Sequence, residues 1–333
     1  MKYIGAENAE IKLFEKEKPE LPTNYLLIKT AYSAISPGTE LSMSRNAQDV
    51  SFPLGYSASG IVVETGGEDT GFEVGDRVAC YGAPYVYHGE YLAVPKTLCA
   101  KVPTEVSLSE AALSGIGSIA IHALRQARLQ FGEIIVVVGL GIYGQLISQI
   151  GKNAGYKVLA LNRSQPRATL LEELTGIETF VNHDDLEKRL DELSHGQGAD
   201  AVFLCAGRGG ELTNQSLDWL RKKGQSIIVG DIEPIYDRAK MFSKEIDIKI
   251  SRAGGPGRYD PVYEKQAIDY PYQYVRWTEG RNVAEFVRLL QEKRIVITPY
   301  FAEVIPFENH QLAYEELDQP GASHLTRVLK YES

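Results

Sequence analysis

One short run of residues speaks directly to chemistry: Gly139-Leu140-Gly141-Ile142-Tyr143-Gly144, placed immediately after the apolar stretch Glu133–Val138 and at the head of a helical pattern. Glycines at these three places allow a tight turn, close approach of a pyrophosphate to the backbone, and close packing of helix on strand. The free N–H groups and partial positive charge of a helix N-terminus then favour phosphate. The preceding strand and following helix are the context that separates a dinucleotide site from a merely glycine-rich turn. The cofactor contacts are therefore expected from Gly139, Gly141, Ile142, Tyr143 and Gly144. The end of the next strand selects the cofactor. A carboxylate there would hold a ribose 2′-hydroxyl, but the sequence reads Asn162-Arg163-Ser164, with Arg167 close behind. Two arginines and a hydroxyl suit a 2′-phosphate, which predicts NADP(H) in preference to NAD(H), although neutral Asn162 also suits an NAD ribose.

These residues need a particular scaffold. From Gly132 onward, strand and helix patterns alternate: Lys157–Leu161, Arg167–Thr175, Ala201–Leu204, Glu211–Leu220 and Ser226–Gly230. Repeated βαβ units imply a parallel sheet wrapped by helices, and a fully apolar run such as Glu133–Val138 suits a strand buried on both faces. The first third differs. Tyr25–Ala34, Ser59–Glu64, Gly75–Tyr81 and Glu90–Pro95 are short, β-rich and punctuated by Gly and Pro. A helix is predicted over Ser109–Ala127, capped by Ser107 or Ser109. Beyond Ala253 comes a long Gly-, Pro- and Tyr-rich segment, followed by a helix over Val283–Lys293, a strand over Tyr300–Ile305 and a helix over Glu308–Leu317.

Bulk properties narrow the class. A chain of 333 residues, 44% apolar and 24% charged, suits two globular domains. A net charge of −9 disfavours nucleic acid as a partner. No apolar run reaches the roughly 20 residues of a membrane span, and Met1–Glu10 does not read as a signal peptide. Cys80, Cys99 and Cys205 form no metal or disulfide pattern, so reduced thiols in the cytoplasm are expected.

The order of these regions resembles the medium-chain dehydrogenase/reductase superfamily along essentially the whole chain. Gly71–Val78, Gly198–Val202 with Gly207, and Gly224–Gly230 match its recurring strand segments. The resemblance implies an α/β fold: a Rossmann-type doubly wound parallel sheet over 116–252, and a β-rich GroES-like catalytic domain over 1–115 and 253–333. It also adds Gly207, Gly230 and Ser118 to the expected cofactor contacts, and implies a homodimer or homotetramer. Where zinc-dependent members carry metal ligands, this chain has Ser36, Tyr56 in Gly55-Tyr56-Ser57, and, by counting, Ser114. Serine is a poor zinc ligand, so no zinc is expected and the chain is similar to the zinc-lacking subgroup.

Without a metal to polarise the reacting oxygen, a positioned acid must supply the proton. Tyr56 is the first candidate, with Ser36 and Ser57 as hydrogen-bond donors; His88 with Glu90, and His122, are the others. Arg258, Tyr259, Arg276 and Trp277 are the expected substrate contacts, since arginine beside aromatics suits a polyhydroxylated or anionic small molecule. Three functions are compatible with these residues. They are interconversion of alcohol and ketone on a sugar, cyclitol or similar metabolite, a zinc-free quinone or enone C=C reductase, and a non-catalytic dinucleotide-binding protein.

Overall fold

A computed structural model describes residues 1–207, 209–319 and 324–332. The chain divides into two compact units, Met1–Ser118 with Ala253–Ser333, and Ile119–Arg252.

The second unit is a six-stranded parallel sheet. Its strands run Glu178–Phe180, Lys157–Leu161, Ile134–Val138, Ala199–Leu204, Leu220–Ile228 and Asp247–Ile250 across the sheet. In chain order this is 3-2-1-4-5-6, the doubly wound arrangement. The order reverses between Ile134–Val138 and Ala199–Leu204, and the crevice at such a reversal is where open α/β sheets bind ligands. All five residues of Ile134–Val138 are buried. One side of the sheet packs Val136, Leu159, Val202 and Leu204 with Leu186, Leu190, Leu217 and Trp219 of the covering helices.

The first unit is β-rich. A seven-stranded sheet carries Val304–Pro306, Val328–Lys330, Tyr25–Ala34, Ser57–Thr65, Arg77–Tyr81 and Cys99–Lys101 in sequence across it, with Tyr91–Pro95 also paired to Tyr25–Ala34. Glu10–Glu15, Lys2–Glu7 and Phe52–Pro53 form a second, smaller sheet. Leu26, Ile28, Val62, Val78, Leu92 and Tyr263 build one core; Ile4, Ile35, Leu54, Phe307, Tyr314 and Leu329 build another.

Several elements differ from the sequence expectation. The helix expected over Ser109–Ala127 is two helices, Leu108–Ala111 and Ser114–Ala127. Ser107 caps the first, accepting the Glu110 N–H at 3.2 Å. Ser57 explains the break: its hydroxyl donates to the Ala112 carbonyl at 2.5 Å and accepts the Gly115 N–H at 2.9 Å, satisfying backbone groups that a continuous helix would pair internally. The segment expected as strand Tyr300–Ile305 begins as a helix, Thr298–Phe301, whose Pro299 suits a first helical turn; the strand is Val304–Pro306. The amphipathic helix after the Gly- and Tyr-rich segment starts earlier than expected, at Glu279, capped by Thr278. Among the described residues, no helix is long and apolar enough to cross a membrane.

Candidate active site

The dinucleotide end of the second unit is built from backbone. Gly139 has φ +90°, a conformation glycine adopts at no steric cost. A Cβ on Gly139 would come within 2.8 Å of the Ala206 nitrogen, so this turn lies against the end of the strand across the crevice. A Cβ on Gly144 would lie 1.9 Å from the Gly139 carbonyl oxygen. Gly141, the N-cap of helix Ile142–Asn153, is the opposite case: nothing lies within 4 Å of the place its Cβ would take. Two of the glycines are thus demanded by the protein's own packing. The third keeps clear the space before a helix N-terminus, a cradle that fits a pyrophosphate. Gly230 brings the next strand end close, with a Cβ there 2.3 Å from the Ala206 carbonyl oxygen, while Gly207 is exposed. Ile142 is buried and Tyr143 half-buried.

Asn162 also has a structural role. Its Oδ1 accepts the Leu140 N–H at 2.9 Å and its Nδ2 donates to the Ser164 carbonyl at 3.1 Å, so its amide ties the glycine turn to the following loop. Ser164 is the N-cap of helix Gln165–Thr175, yet its hydroxyl makes no capping bond. Arg163 is exposed; Arg167 is half-buried, and burial lowers its pKa. A hydroxyl, two guanidinium groups and a helix N-terminus therefore stand together at the end of strand Lys157–Leu161.

His122, also in this unit, is 9% exposed and hydrogen-bonded to Gln126 at 3.2 Å. Burial, reinforced by Arg125, pushes its pKa down to about 4. It is a neutral packed side chain at physiological pH, which corrects its expected catalytic role.

In the first unit, Tyr56 is half-buried, with its ring edge-on to Tyr81 at 6.0 Å between centroids. Its position is set by the turn at Gly55 (φ +95°), where a Cβ would come 2.7 Å from the His88 ring. His88 is the support of this turn, a correction to its expected place at a cleft. It is fully buried, with Nδ1 on the Ser33 hydroxyl at 2.7 Å and Nε2 on Glu40 Oε2 at 2.9 Å. Glu40 in turn accepts the Ser36 N–H at 2.7 Å and the Tyr314 hydroxyl, and Ser33 meets Tyr331 at 2.9 Å. One buried polar network thus anchors both the loop carrying Ser36 and the turn carrying Tyr56. Glu90 is likewise structural, accepting the Lys2 N–H at 2.6 Å.

Ser57 and Ser118 are corrected as well. Ser57 is buried and used on the helix break described above. Ser118 is fully buried and donates to the Gly115 carbonyl of its own helix at 2.7 Å. Ser36 and Ser114 are buried, and the Ser114 hydroxyl has no hydrogen-bond partner among the described residues. Zinc takes thiolate, imidazole or carboxylate donors. The positions at issue offer two serine hydroxyls and a phenol, while Glu40 and His88 are bonded to each other. This donor set does not fit a zinc ion.

The expected substrate residues separate into two groups. Arg276 is exposed and stacks over Trp277, 5.1 Å from the ring centroid. Arg258 instead enters a buried cluster that the sequence reading missed: its Nη1 donates to Glu264 Oε1 at 2.6 Å, and its guanidinium lies over the exposed Tyr259 ring at 4.3 Å. Glu279 is fully buried, and among the described residues neither carboxyl oxygen lies in hydrogen-bonding geometry with a partner. Burial first, and the neighbouring Glu264 second, push its pKa up to about 9, with Arg258 opposing. In the sequence, Glu279 stands ahead of the expected helix Val283–Lys293, at the polar end of the Gly- and Tyr-rich segment, which hides it.

Two family descriptions match this architecture. Residues 22–129 match the alcohol dehydrogenase GroES-like domain and residues 143–267 match the zinc-binding dehydrogenase family. The chain belongs to the medium-chain dehydrogenase/reductase superfamily. Ser36, Tyr56 and Ser114 all lie outside the range matched as zinc-binding dehydrogenase. Among similar superfamily members are a sorbitol dehydrogenase of Halalkalibacterium halodurans, 27% identical over 86% of this chain and 94% of that protein, and a 2-dehydro-3-deoxy-L-galactonate 5-dehydrogenase of Pseudoalteromonas atlantica, 25% identical over 84% of each. Galactitol-1-phosphate dehydrogenase from Escherichia coli shares the fold with TM-score 0.79 and 18% identity, covering 99% of this chain and 100% of that one.

Proposed function

We propose that this superfamily member is a zinc-independent, NADP(H)-preferring oxidoreductase that interconverts an alcohol and a ketone on a hydroxylated small molecule of the sugar or cyclitol type, acting in the cytoplasm as a homodimer or homotetramer. The observation that carries this reading is the pairing of an intact glycine cradle with hydroxyl groups at every expected metal position. The sugar-alcohol names of the sequence relatives support the substrate class.

The N-terminus of helix Ile142–Asn153 offers its backbone N–H groups to the pyrophosphate, Gly139, whose own N–H is donated to the Leu161 carbonyl at 2.9 Å, shapes the turn before it, and Arg163, Ser164 and Arg167 receive the 2′-phosphate. When bound, the nicotinamide supplies or accepts a hydride. The remaining work falls to the first unit. Tyr56 exchanges a proton with the substrate oxygen through its phenol, held by the Gly55 turn on His88 and by the edge of Tyr81. Arg258 offers N–H donors to substrate hydroxyls from a position stacked on Tyr259. A polyol is bound by several such hydrogen bonds, each of which also rejects analogues lacking the hydroxyl.

Titration with both reduced cofactors tests the assignment. NADPH should bind more tightly than NADH, and Arg163→Ala should weaken NADPH by about 1–3 kcal/mol with NADH nearly unchanged. Tighter binding of NADH to the unmodified protein would refute the cofactor preference. A stoichiometric zinc, retained on purification and required for turnover, would refute the metal-free reading.

A further inference from the structure

Behind Tyr56 the first unit carries a charge cluster with an uneven composition. Tyr56 leans edge-on against Tyr81, and the Tyr81 hydroxyl accepts the Gly254 N–H at 2.9 Å. Gly254 is packed so closely that a Cβ would come 2.7 Å from Tyr81, 2.9 Å from the Ser118 hydroxyl and 3.1 Å from the Glu279 Cβ. Four residues on, Arg258 is paired with Glu264 at 2.6 Å, with side-chain exposures of only 14% and 8%. Glu264 Oε1 also accepts the Tyr259 N–H at 3.1 Å. The cluster therefore contains one cation and two carboxyl groups, Glu264 and Glu279, with Tyr25, Tyr81, Tyr85, Tyr263 and Tyr270 among the titratable side chains around it.

The charge balance decides what such a cluster can receive. Burial alone would lower the Arg258 pKa, but Tyr81 and Glu264 hold it above its ordinary value, so the guanidinium stays charged. Glu279 stays neutral near pH 7 because its pKa is pushed up to about 9. The sum is one positive and one negative charge in contact. A phosphate or carboxylate arriving here meets a guanidinium already neutralised, and a buried carboxylate that repels it. Desolvating that anion would go uncompensated. A hydroxyl needs only a donor and an acceptor, and the cluster offers both.

We propose that the Arg258–Glu264–Glu279 cluster makes this site selective for uncharged polyhydroxylated substrates, with Glu264 the specificity-determining residue that keeps Arg258 from acting as an anion receptor. This rests on the polyol reading above. It separates this chain from what the names of two similar proteins, a dehydrogenase of a sugar acid and one of a sugar phosphate, describe for those proteins.

The test compares kcat/KM for sorbitol and galactitol with that for their 1-phosphates. The unmodified protein should favour each free polyol over its phosphate ester by at least ~10-fold, and Glu264→Gln should shrink that ratio by at least ~10-fold. Calorimetric titration with inorganic phosphate gives a readout independent of turnover. With both proteins saturated with NADP+, so that the cofactor's own phosphate sites are filled, phosphate should bind Glu264→Gln and not the unmodified protein. A preference of the unmodified protein for the phosphate esters overturns the proposal, as does a Glu264→Gln protein whose ratio is unchanged and which binds no phosphate. Should Glu264→Gln fail to fold, Arg258→Gln decides: a loss of phosphate-ester turnover relative to polyol turnover means that Arg258 was receiving the anion, and overturns it; an unchanged ratio supports it. If neither polyols nor esters are turned over, the polyol reading fails separately. The phosphate titration then still judges the charge argument, because binding to the unmodified protein saturated with NADP+ overturns it.

Discussion

The two units of this protein place their chemistry in different materials. In Ile119–Arg252 the proposed cofactor site is laid out along two short stretches, a glycine turn whose missing side chains leave room at a helix N-terminus, and residues 163–167 at the head of the next helix. Six consecutive residues contain the cradle, and the sheet order puts it at the crevice. In the other unit the groups are side chains drawn from distant segments: Tyr56 and Tyr81 from the β-rich first third, Arg258 and Glu264 from an irregular stretch over 251–278, and Glu279 from the head of a helix. A backbone site is compact in sequence because helix and strand geometry are local. A side-chain site is assembled by packing, and tolerates many arrangements of residues along the chain.

Substitutions can break this contrast or sharpen it. The largest effect is expected from Tyr56→Phe, which keeps the ring on Tyr81 and removes only the hydroxyl. Turnover should fall roughly 10²–10⁴-fold, the usual size of a lost general acid. Cofactor affinity, measured by fluorescence titration, should barely move, since the cradle belongs to the other unit. Near-normal turnover would move the proton to a water molecule or the cofactor ribose.

Gly141→Asp comes next. Asp is a favoured N-cap, the Gly141 φ of −71° imposes no strain, and no atom stands within 4 Å of the added Cβ. The melting temperature should therefore hold or rise slightly. The new carboxylate fills the pyrophosphate space with like charge, so dinucleotide affinity should drop on the order of 10²-fold. Loss of stability together with affinity would mean that Gly141, like Gly144, is needed for packing.

The smallest effect on activity, and a distinctive one on stability, is expected from Glu279→Gln. The folded-state pKa of about 9 lies above the ordinary carboxylate value, so the folded protein keeps a proton that the unfolded chain releases. Wild-type stability from this group is fully present in acid and is lost as pH rises toward 9, with a slope of at most about 1.4 kcal/mol per pH unit. Glutamine has no proton to lose. Denaturant titrations should show the variant gaining on the wild type from about pH 5 to pH 9, then holding level. A difference independent of pH would mean that Glu279 is ionised in the folded protein.

Much of the scaffold is legible without coordinates. Lys157–Leu161 has the same bounds in sequence and structure, and Tyr25–Ala34 does too, because alternation and apolar runs report burial directly. Other features were hidden by contacts with remote residues. The helix expected over Ser109–Ala127 is interrupted because Ser57, from a strand some fifty residues earlier, satisfies the break. His88 has a catalytic residue type in a plausible position, and only its bonds to Ser33 and Glu40 reveal a support. Asn162 ends the strand at which the cofactor is selected, and only the tertiary structure shows its amide joining Leu140 to Ser164.

The family, the two kinds of domain and the glycine-rich turn between strand and helix can be read from the residues alone, because each depends on local periodicity or on a short motif whose physics is carried by neighbouring residues. Tertiary structure decided which polar side chains are supports and which face open space. It also revealed the cluster of Arg258, Glu264 and Glu279. Burial and proximity set charge state and hydrogen bonding, and both arise only when segments far apart in the chain pack against each other.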